Sequence, residues 1–189
     1  MRYVFLDVDG VLNNRYTKNS PEEGYINRMA ALDFHNIDIL KRLMDEIYDK
    51  YGRNKVKLIL TSSWRAGGEI KMNSLRHILD FYLAKWGVSI DEEVMDLPYK
   101  YNRGAEICNY LNLHSDDLEG YLVLDDYYFD DFDAYRIPRH WVHTVYESSA
   151  GKGGLQSKHI PYALKMMANP IKEDEWDIIR VGIECQEDA

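Results

Sequence analysis

The sequence predicts an α/β fold in which helices cover both faces of a parallel β-sheet, a three-layer, Rossmann-like architecture. Two observations lead to this prediction. Strand-like segments alternate with amphipathic helices, and the strand segments are continuous apolar runs, as expected where both faces of a sheet are buried. With 189 residues, 46% of them hydrophobic, the chain is long enough for one domain with a complete core.

The first third of the chain has the pattern strand, loop, helix, strand. Residues 3–6 form a short apolar run bounded by turn residues, which is typical of a buried strand. Residues 14–33 are polar and irregular, so we expect a loop there that could act as a flap. Apolar residues then recur at helical spacing over 37–51, Gly52 ends that helix, and residues 56–60 form the second strand.

The middle of the chain continues the alternation. Residues 75–86 have the spacing of an amphipathic helix, and a short strand is expected within 93–99. A further amphipathic segment over 104–113 leads into the third clear strand at 120–126, and a fourth strand is expected at 140–146.

The C-terminal part is predicted to contain one helix and one strand. Residues 153–167 turn into a helix, where Pro161 is tolerated only in the first turn. The tail, 170–189, alternates weakly and is predicted as an edge strand. Since no repeat or low-complexity linker interrupts this order, we expect a single domain over 1–189.

Three of the predicted strands end in clusters of polar side chains. In a parallel sheet the carboxyl ends of the strands meet at one edge, and this is where ligands bind. Three separate segments would therefore bring reactive groups to one crevice. The groups are Asp7 and Asp9, Thr61, Ser62 and Ser63, and Asp125 and Asp126.

The residue types at these strand ends suit phosphate chemistry with a metal ion. Four carboxylates in one crevice repel one another unless a cation lies among them, and oxygen ligands suit Mg²⁺. The hydroxyls of Thr61 and Ser62 can hold phosphate oxygens. Asp7 could then attack phosphorus to give an acyl phosphate, while Asp9 protonates the leaving oxygen and later activates water.

Composition limits the partners and the compartment. The net charge of −9 gives no general attraction to nucleic acid or to an anionic membrane surface. No segment reaches transmembrane length, and the apolar run after Arg2 is too short for a signal peptide. Only two cysteines occur and they fit no metal or disulfide pattern, so we expect a cytoplasmic protein with no membrane partner.

Three stretches resemble motifs I, II and IV of the haloacid dehalogenase-like (HAD) superfamily: "FLDVDGVLN", "LILTSSWR" and "YLVLDD". Their order and spacing match over roughly residues 3–165. The likeness is closer to the HAD domain of Swiss Army Knife RNA-repair proteins, because "DGVLN", a Ser-Ser-Trp-Arg segment and a late "KGGLQSKHI" occur together.

This resemblance implies a role for each motif residue. Asp7 would be the nucleophile and a metal ligand, and Asp9 would be the general acid and base, with its backbone carbonyl also on the metal. Thr61 would bind the phosphoryl group. Asp125 and Asp126 would hold Mg²⁺, one of them directly and the other directly or through water.

The motif III cation is assigned less simply. The family places a Lys or Arg ahead of the motif IV strand, where "YKYNRGAEI" offers Lys100 and Arg103. Arg103 is preferred because it starts the helix that leads into that strand, and its role would be to steady the charge on Asp7 and the phosphate. Arg65, like Ser62, is a further candidate phosphate contact, and so is Lys100.

The substrate is a phosphorylated molecule whose size the sequence leaves open. The windows between 12 and 55 and between 65 and 103 hold only core elements, so there is no room for a sizeable cap domain. By resemblance, an open site favours a large substrate, such as a nucleic-acid end or a protein, or a lid supplied by a partner subunit. The net charge does not favour nucleic acid. The oligomeric state is left open.

Some of these motifs also fit other structures and functions. "DVDG" also begins calcium loops, but the twelfth position of such a loop is Lys18 rather than Glu. A phosphotransferase on the same fold and a non-catalytic, metal-binding interaction module are the alternative functions. The acidic run after Asp126 is expected to be a solvated loop, and its aromatic residues are expected to pack on the core rather than stack on a base.

Overall fold

The structure is a computed structural model of the chain. It describes residues 1–15, 17, 32–72, 74–98, 102–146 and 153–182. Most of the predicted flap, residues 16 and 18–31, lies outside these ranges. No helix in the described part of the chain is long and apolar enough to cross a membrane.

The described residues form five strands and five helices of two or more turns. The strands are β1 (Arg2–Leu6), β2 (Val56–Leu60), β3 (Glu92–Glu93), β4 (Gly120–Asp125) and β5 (Trp141–His143). The helices are α1 (Phe34–Tyr51), α2 (Leu75–Lys85), α3 (Arg103–Leu113), α4 (Ile160–Ala168) and α5 (Glu173–Val181). Each of the predicted helices is present, and Gly52 ends α1 with a φ of 91°.

The strands form one parallel sheet in the order β3-β2-β1-β4-β5. β1 lies in the centre, and its last residue, Leu6, is level with both Leu60 of β2 and Leu124 of β4. The three strands that carry the predicted reactive groups are therefore neighbours and end together.

Alternate side chains of β1 point into two separate cores. Val4 and Leu6 pack with α1, α2 and α4 on one face of the sheet. Tyr3 and Phe5 pack with α3 and α5 on the other face. Because both faces are covered, the strands need apolar residues at every position, which explains their continuous apolar runs. The predicted three-layer α/β class is confirmed.

The C-terminal tail differs from the prediction. Glu173–Val181 is a helix, so the expected edge strand within 170–189 is not observed among the described residues. Glu175 and Ile179 lie one helical turn apart and are both buried, and Glu175 accepts a hydrogen bond from the backbone N–H of Lys172 at 3.0 Å. A buried face with a period near four residues favours a helix over a strand.

Two predicted strands are shorter than expected. Of the strand predicted within 93–99, only Glu93 pairs with β2 among the described residues, together with Glu92 just before it. Of the strand predicted at 140–146, only Trp141–His143 pairs with β4. Both lie at the edges of the sheet, where a strand has one neighbour and pairing ends early. The site-bearing strands in the centre have the predicted lengths to within one residue.

Candidate active site

The sheet hydrogen bonds place the first site residues. The backbone N–H of Asp7 donates to Leu124 O at 3.0 Å, and that of Thr61 donates to Leu6 O at 2.9 Å. Both residues thus continue the ladder one step past their strands. This brings their side chains beside Asp125, the last residue of β4.

One nitrogen atom of Arg103 joins all three strand ends. Its Nη1 donates to Asp7 Oδ1 at 3.2 Å, Thr61 Oγ1 at 3.1 Å and Asp125 Oδ2 at 2.9 Å. Arg103 is the first residue of α3, as expected for the preferred motif III candidate. The other candidate, Lys100, lies outside the described residues.

Asp7, Asp125 and Asp126 form a carboxylate cluster at this edge. Each offers one oxygen, and the three oxygens lie within 4.8 Å of one another. Asp7 and Asp125 are buried, with 7% and 1% of their surfaces exposed. Hard oxygen ligands at this spacing suit Mg²⁺, so these residues fit the metal that the sequence predicts.

Gly10 makes room for this cluster. Its φ is +78°, and a Cβ built on it would lie 2.1 Å from Cγ of Asp126. A larger residue would therefore be strained and would displace the Asp126 carboxylate. The Gly10 carbonyl also accepts from Thr144 Oγ1 at 2.7 Å, which ties the turn to the end of β5.

The crowded carboxylates raise one another's pKa. Burial, followed by the nearby Asp7 carboxylate, raises the pKa of Asp125 to about 7 and that of Asp126 to about 6. Burial also raises the pKa of Asp7, while the Arg103 guanidinium opposes that rise. A cation bound among the three would remove this penalty.

Asp9 is oriented by partners of its own. Its carboxylate accepts from Asn13 Nδ2 at 2.8 Å and from the indole Nε1 of Trp64 at 3.2 Å. The carboxylate of Asp9 is not part of the cluster of Asp7, Asp125 and Asp126, and the family resemblance implies a metal contact through its backbone carbonyl. Asn13 and Trp64 were missed as site residues, although both stand within the quoted motifs "FLDVDGVLN" and "LILTSSWR".

Ser62 and Arg65 are the two other described candidates for phosphate contacts. Both lie on the loop that follows β2 and begins at Thr61, the β2 loop, but their surroundings differ. The Ser62 hydroxyl is buried beside Asp7, whose pKa it lowers, and it finds no hydrogen-bond partner of good geometry among the described residues. Arg65 instead forms ion pairs with Glu106 and with the exposed Asp96, so its guanidinium is committed to carboxylates.

The acidic loop after β4 contacts Arg103 and the first turn of α3. Asp131 accepts from the backbone N–H groups of Gly104 and Ala105 at 3.1 and 2.9 Å, in the first turn of α3. The Arg103 guanidinium lies 5.0 Å from the centre of the Phe129 ring. The expectation that this acidic run is only a solvated loop is therefore corrected for Asp131.

The aromatic residues of the same loop divide into two groups. Phe132 is fully buried and packs with the core, as expected. Tyr127 is 60% exposed, so the expected core packing does not apply to it. Tyr128 is 42% exposed, yet its ring contacts Phe132 and Trp141.

Comparison with known proteins supports the resemblance read from the motifs. A family model described as the HAD domain in Swiss Army Knife RNA repair proteins matches residues 3–159. No match was found among curated proteins or among solved structures. HAD domains are mostly hydrolases and phosphatases and typically use Mg²⁺. Because this match to the family model spans most of the chain, from residue 3 to residue 159, the chain belongs to the HAD family found in Swiss Army Knife RNA repair proteins.

Proposed function

We propose that this protein is a Mg²⁺-dependent phosphohydrolase that cleaves a phosphomonoester through an aspartyl-phosphate on Asp7. The observation that supports this best is the single Arg103 nitrogen within hydrogen-bond distance of Asp7, Thr61 and Asp125. A nucleophile, a hydroxyl donor and a cation meet there at the carboxyl edge of a parallel sheet, where ligands bind.

The carboxylate cluster is the proposed metal site. Asp7, Asp125 and Asp126 would hold Mg²⁺, together with the Asp9 carbonyl. The ion would neutralise the carboxylates and the incoming phosphate.

The protein residues would divide the reaction into two steps. In the first, Asp7 attacks phosphorus, the bond to the leaving oxygen breaks, and Asp9 donates a proton to that oxygen. In the second, Asp9 removes a proton from water, which attacks the phosphorus of the acyl phosphate and releases phosphate and free Asp7. Thr61, Ser62 and Arg103 would donate hydrogen bonds to the phosphoryl oxygens.

The substrate class is part of the proposal. The family description names RNA repair proteins, so a nucleotide or a terminal phosphate of a nucleic acid is the first class to screen. The net charge of −9 argues that such binding would depend on the terminal phosphate more than on the backbone. A cytoplasmic setting is proposed as well, from the sparse cysteines.

The first test replaces the nucleophile. Asp7→Asn should lower Mg²⁺-dependent hydrolysis of an aryl phosphate by at least about 10⁴-fold, because the amide cannot form the acyl phosphate. Thermal unfolding of the variant checks that it is folded. Activity equal to that of the parent would contradict the assignment of Asp7.

The second test concerns Asp9. An aryl leaving group needs little protonation, so Asp9→Asn should slow the second step more than the first, by about 10²- to 10⁴-fold. Rapid mixing should then release one equivalent of the phenol before steady state. Absence of both this burst and a phosphorylated form of the protein would count against the two-step route.

Two outcomes would favour the alternative functions. Transfer of the phosphoryl group to an added alcohol, in preference to water, would indicate a phosphotransferase. No turnover across nucleotides, sugar phosphates and phosphorylated oligonucleotides, with Mg²⁺ still raising the melting temperature, would indicate a metal-binding interaction module.

A further inference from the structure

We infer that Glu106 is a positioning residue that holds Arg103 in place, and that Arg65 acts on the site through Glu106. This inference rests on the proposed function, because it assigns how one residue of that site is oriented. Its basis is a buried chain of charges that runs from the β2 loop to α3.

Glu106 lies between two guanidinium groups. Arg65 binds it with two hydrogen bonds, Nη1 to Oε2 at 2.8 Å and Nη2 to Oε1 at 3.2 Å. Arg103 Nε lies 3.7 Å from the same Oε2. All three side chains are only 11–12% exposed, so solvent screens these charges weakly.

The two edges of the Arg103 guanidinium face different partners. Its Nη1 donates to Asp7, Thr61 and Asp125, while its Nε faces Glu106, three residues further along α3. In the described part of the chain, the other carboxylates that pair with Arg103 are Asp7 and Asp125. Without the charge on Glu106, these two would draw the guanidinium towards the metal cluster.

Arg65 fixes the orientation of Glu106 in turn. Two parallel hydrogen bonds define the plane of a carboxylate, which a single contact does not. Arg65 lies on the β2 loop, where its N–H donates to Ser62 O at 3.1 Å. The Arg65–Glu106 pair therefore connects the loop that carries Thr61 and Ser62 to the helix that carries Arg103.

This arrangement gives Arg65, the last residue of "TSSWR", a role that differs from direct phosphate binding. The Arg65 guanidinium is occupied by Glu106 and by Asp96, whose side chain is 65% exposed. Arg65 would thus set the distance between the β2 loop and Arg103. A misplacement of a catalytic group by about 1 Å can cost a hundredfold in rate.

The test uses Glu106→Gln, which keeps the side-chain size and removes the charge. The expected result is a 10- to 100-fold lower kcat on an aryl phosphate with a smaller change in KM, in about the range that misplacement gives. The matched control is Asp96→Asn, which breaks the exposed ion pair of Arg65 and should change kcat by less than about twofold. Thermal unfolding checks that both variants are folded.

A double-mutant cycle separates positioning from general stability. If Glu106 acts through Arg103, Glu106→Gln should have almost no further effect in an Arg103→Gln background. Arg65→Ala and Glu106→Gln should likewise be non-additive. An equal fold-loss in both Arg103 backgrounds, or an unchanged kcat in Glu106→Gln, would overturn the inference.

A binding measurement keeps this inference apart from the proposed function. Calorimetry with Mg²⁺ and inorganic phosphate should show weaker phosphate binding to Glu106→Gln than to the parent protein and to Asp96→Asn, by a factor smaller than the loss in kcat. If the parent binds phosphate but hydrolyses no ester, the proposed function fails, while weaker phosphate binding by Glu106→Gln still supports the positioning role of Glu106. Equal phosphate affinity in all three proteins would overturn that role.

Discussion

Gly10 shows how one residue can determine whether the site can form. The left-handed backbone at this position turns the chain directly after β1, and the missing side chain leaves space for Asp126. The two effects are separable, because a second glycine, Gly68, also has a positive φ, 142°, but has no neighbouring atom within 4 Å of a built Cβ.

We therefore expect Gly10→Ala to weaken Mg²⁺ binding by at least tenfold, because the new methyl group displaces the Asp126 carboxylate. Backbone strain adds a stability cost of about 1–3 kcal/mol. Calorimetric titration with Mg²⁺ measures the first effect and thermal unfolding the second. Gly68→Ala is the control and should keep the parent's Mg²⁺ affinity; equal affinity in Gly10→Ala would contradict the crowding argument.

Residue types at strand ends were predictable from the sequence, but their side-chain partners were not. The continuous apolar strands placed Asp7, Thr61 and Asp125 at one edge, and the structure brings them to one Arg103 nitrogen. The hydrogen bond from Trp64 to Asp9 joins residues 55 positions apart. Such contacts depend on rotamers and on loop paths that no periodicity encodes.

At the level of elements, α3 begins in an unusual way. Its N-cap residue, Asn102, makes no side-chain capping bond, and Asp131 from the loop after β4 takes that role. A carboxylate near the first N–H groups also interacts favourably with the helix dipole. The loop that follows Asp125 and Asp126 thus fixes the start of the helix that carries Arg103.

Asp131→Ala should therefore destabilise the protein by about 1–2 kcal/mol, the usual cost of losing a helix cap. The exposed neighbour Asp130 provides the control, and Asp130→Ala should change the free energy of unfolding by less than about 0.5 kcal/mol. Urea unfolding followed by circular dichroism measures both. Equal stability of the two variants would show that the cap contributes nothing.

The tail illustrates why short apolar patterns are ambiguous. "WDIIRV" satisfies a weak alternation, yet the buried residues Glu175 and Ile179 follow helical spacing. The acidic residues at 173–175 are typical of a helix N-terminus and were the available signal. The sequence of the tail does not show that α3 offers an apolar surface, against which α5 packs.

For the whole molecule, the acidic cluster links stability to pH and to Mg²⁺. The pKa values of Asp125 and Asp126 are raised from 3.8 to about 7 and about 6. Between the unfolded pKa of 3.8 and these raised values, the folded protein therefore binds more protons than the unfolded chain. Without a cation, this part of the stability is present below about pH 4 and is lost as the pH rises through 6 to 7.

Mg²⁺ should consequently raise the melting temperature more at pH 8 than at pH 5, since it binds the ionised carboxylates that are costly on their own. Scanning fluorimetry with and without Mg²⁺ at both pH values measures this difference. In Asp126→Asn the pH dependence should be smaller, because one of the carboxylates is absent. An identical Mg²⁺ shift at the two pH values would argue against the cluster as the metal site.

The central position of β1 has a consequence for how the protein can diversify. Because β1 is paired on both sides and buried on both faces, its amide protons should be among the slowest to exchange with solvent. Asp7, the proposed nucleophile, directly follows this strand and is thus attached to the part of the molecule that should open least often. Changes in substrate preference would then arise in the surrounding loops, while the position of Asp7 at the end of β1 stays the same.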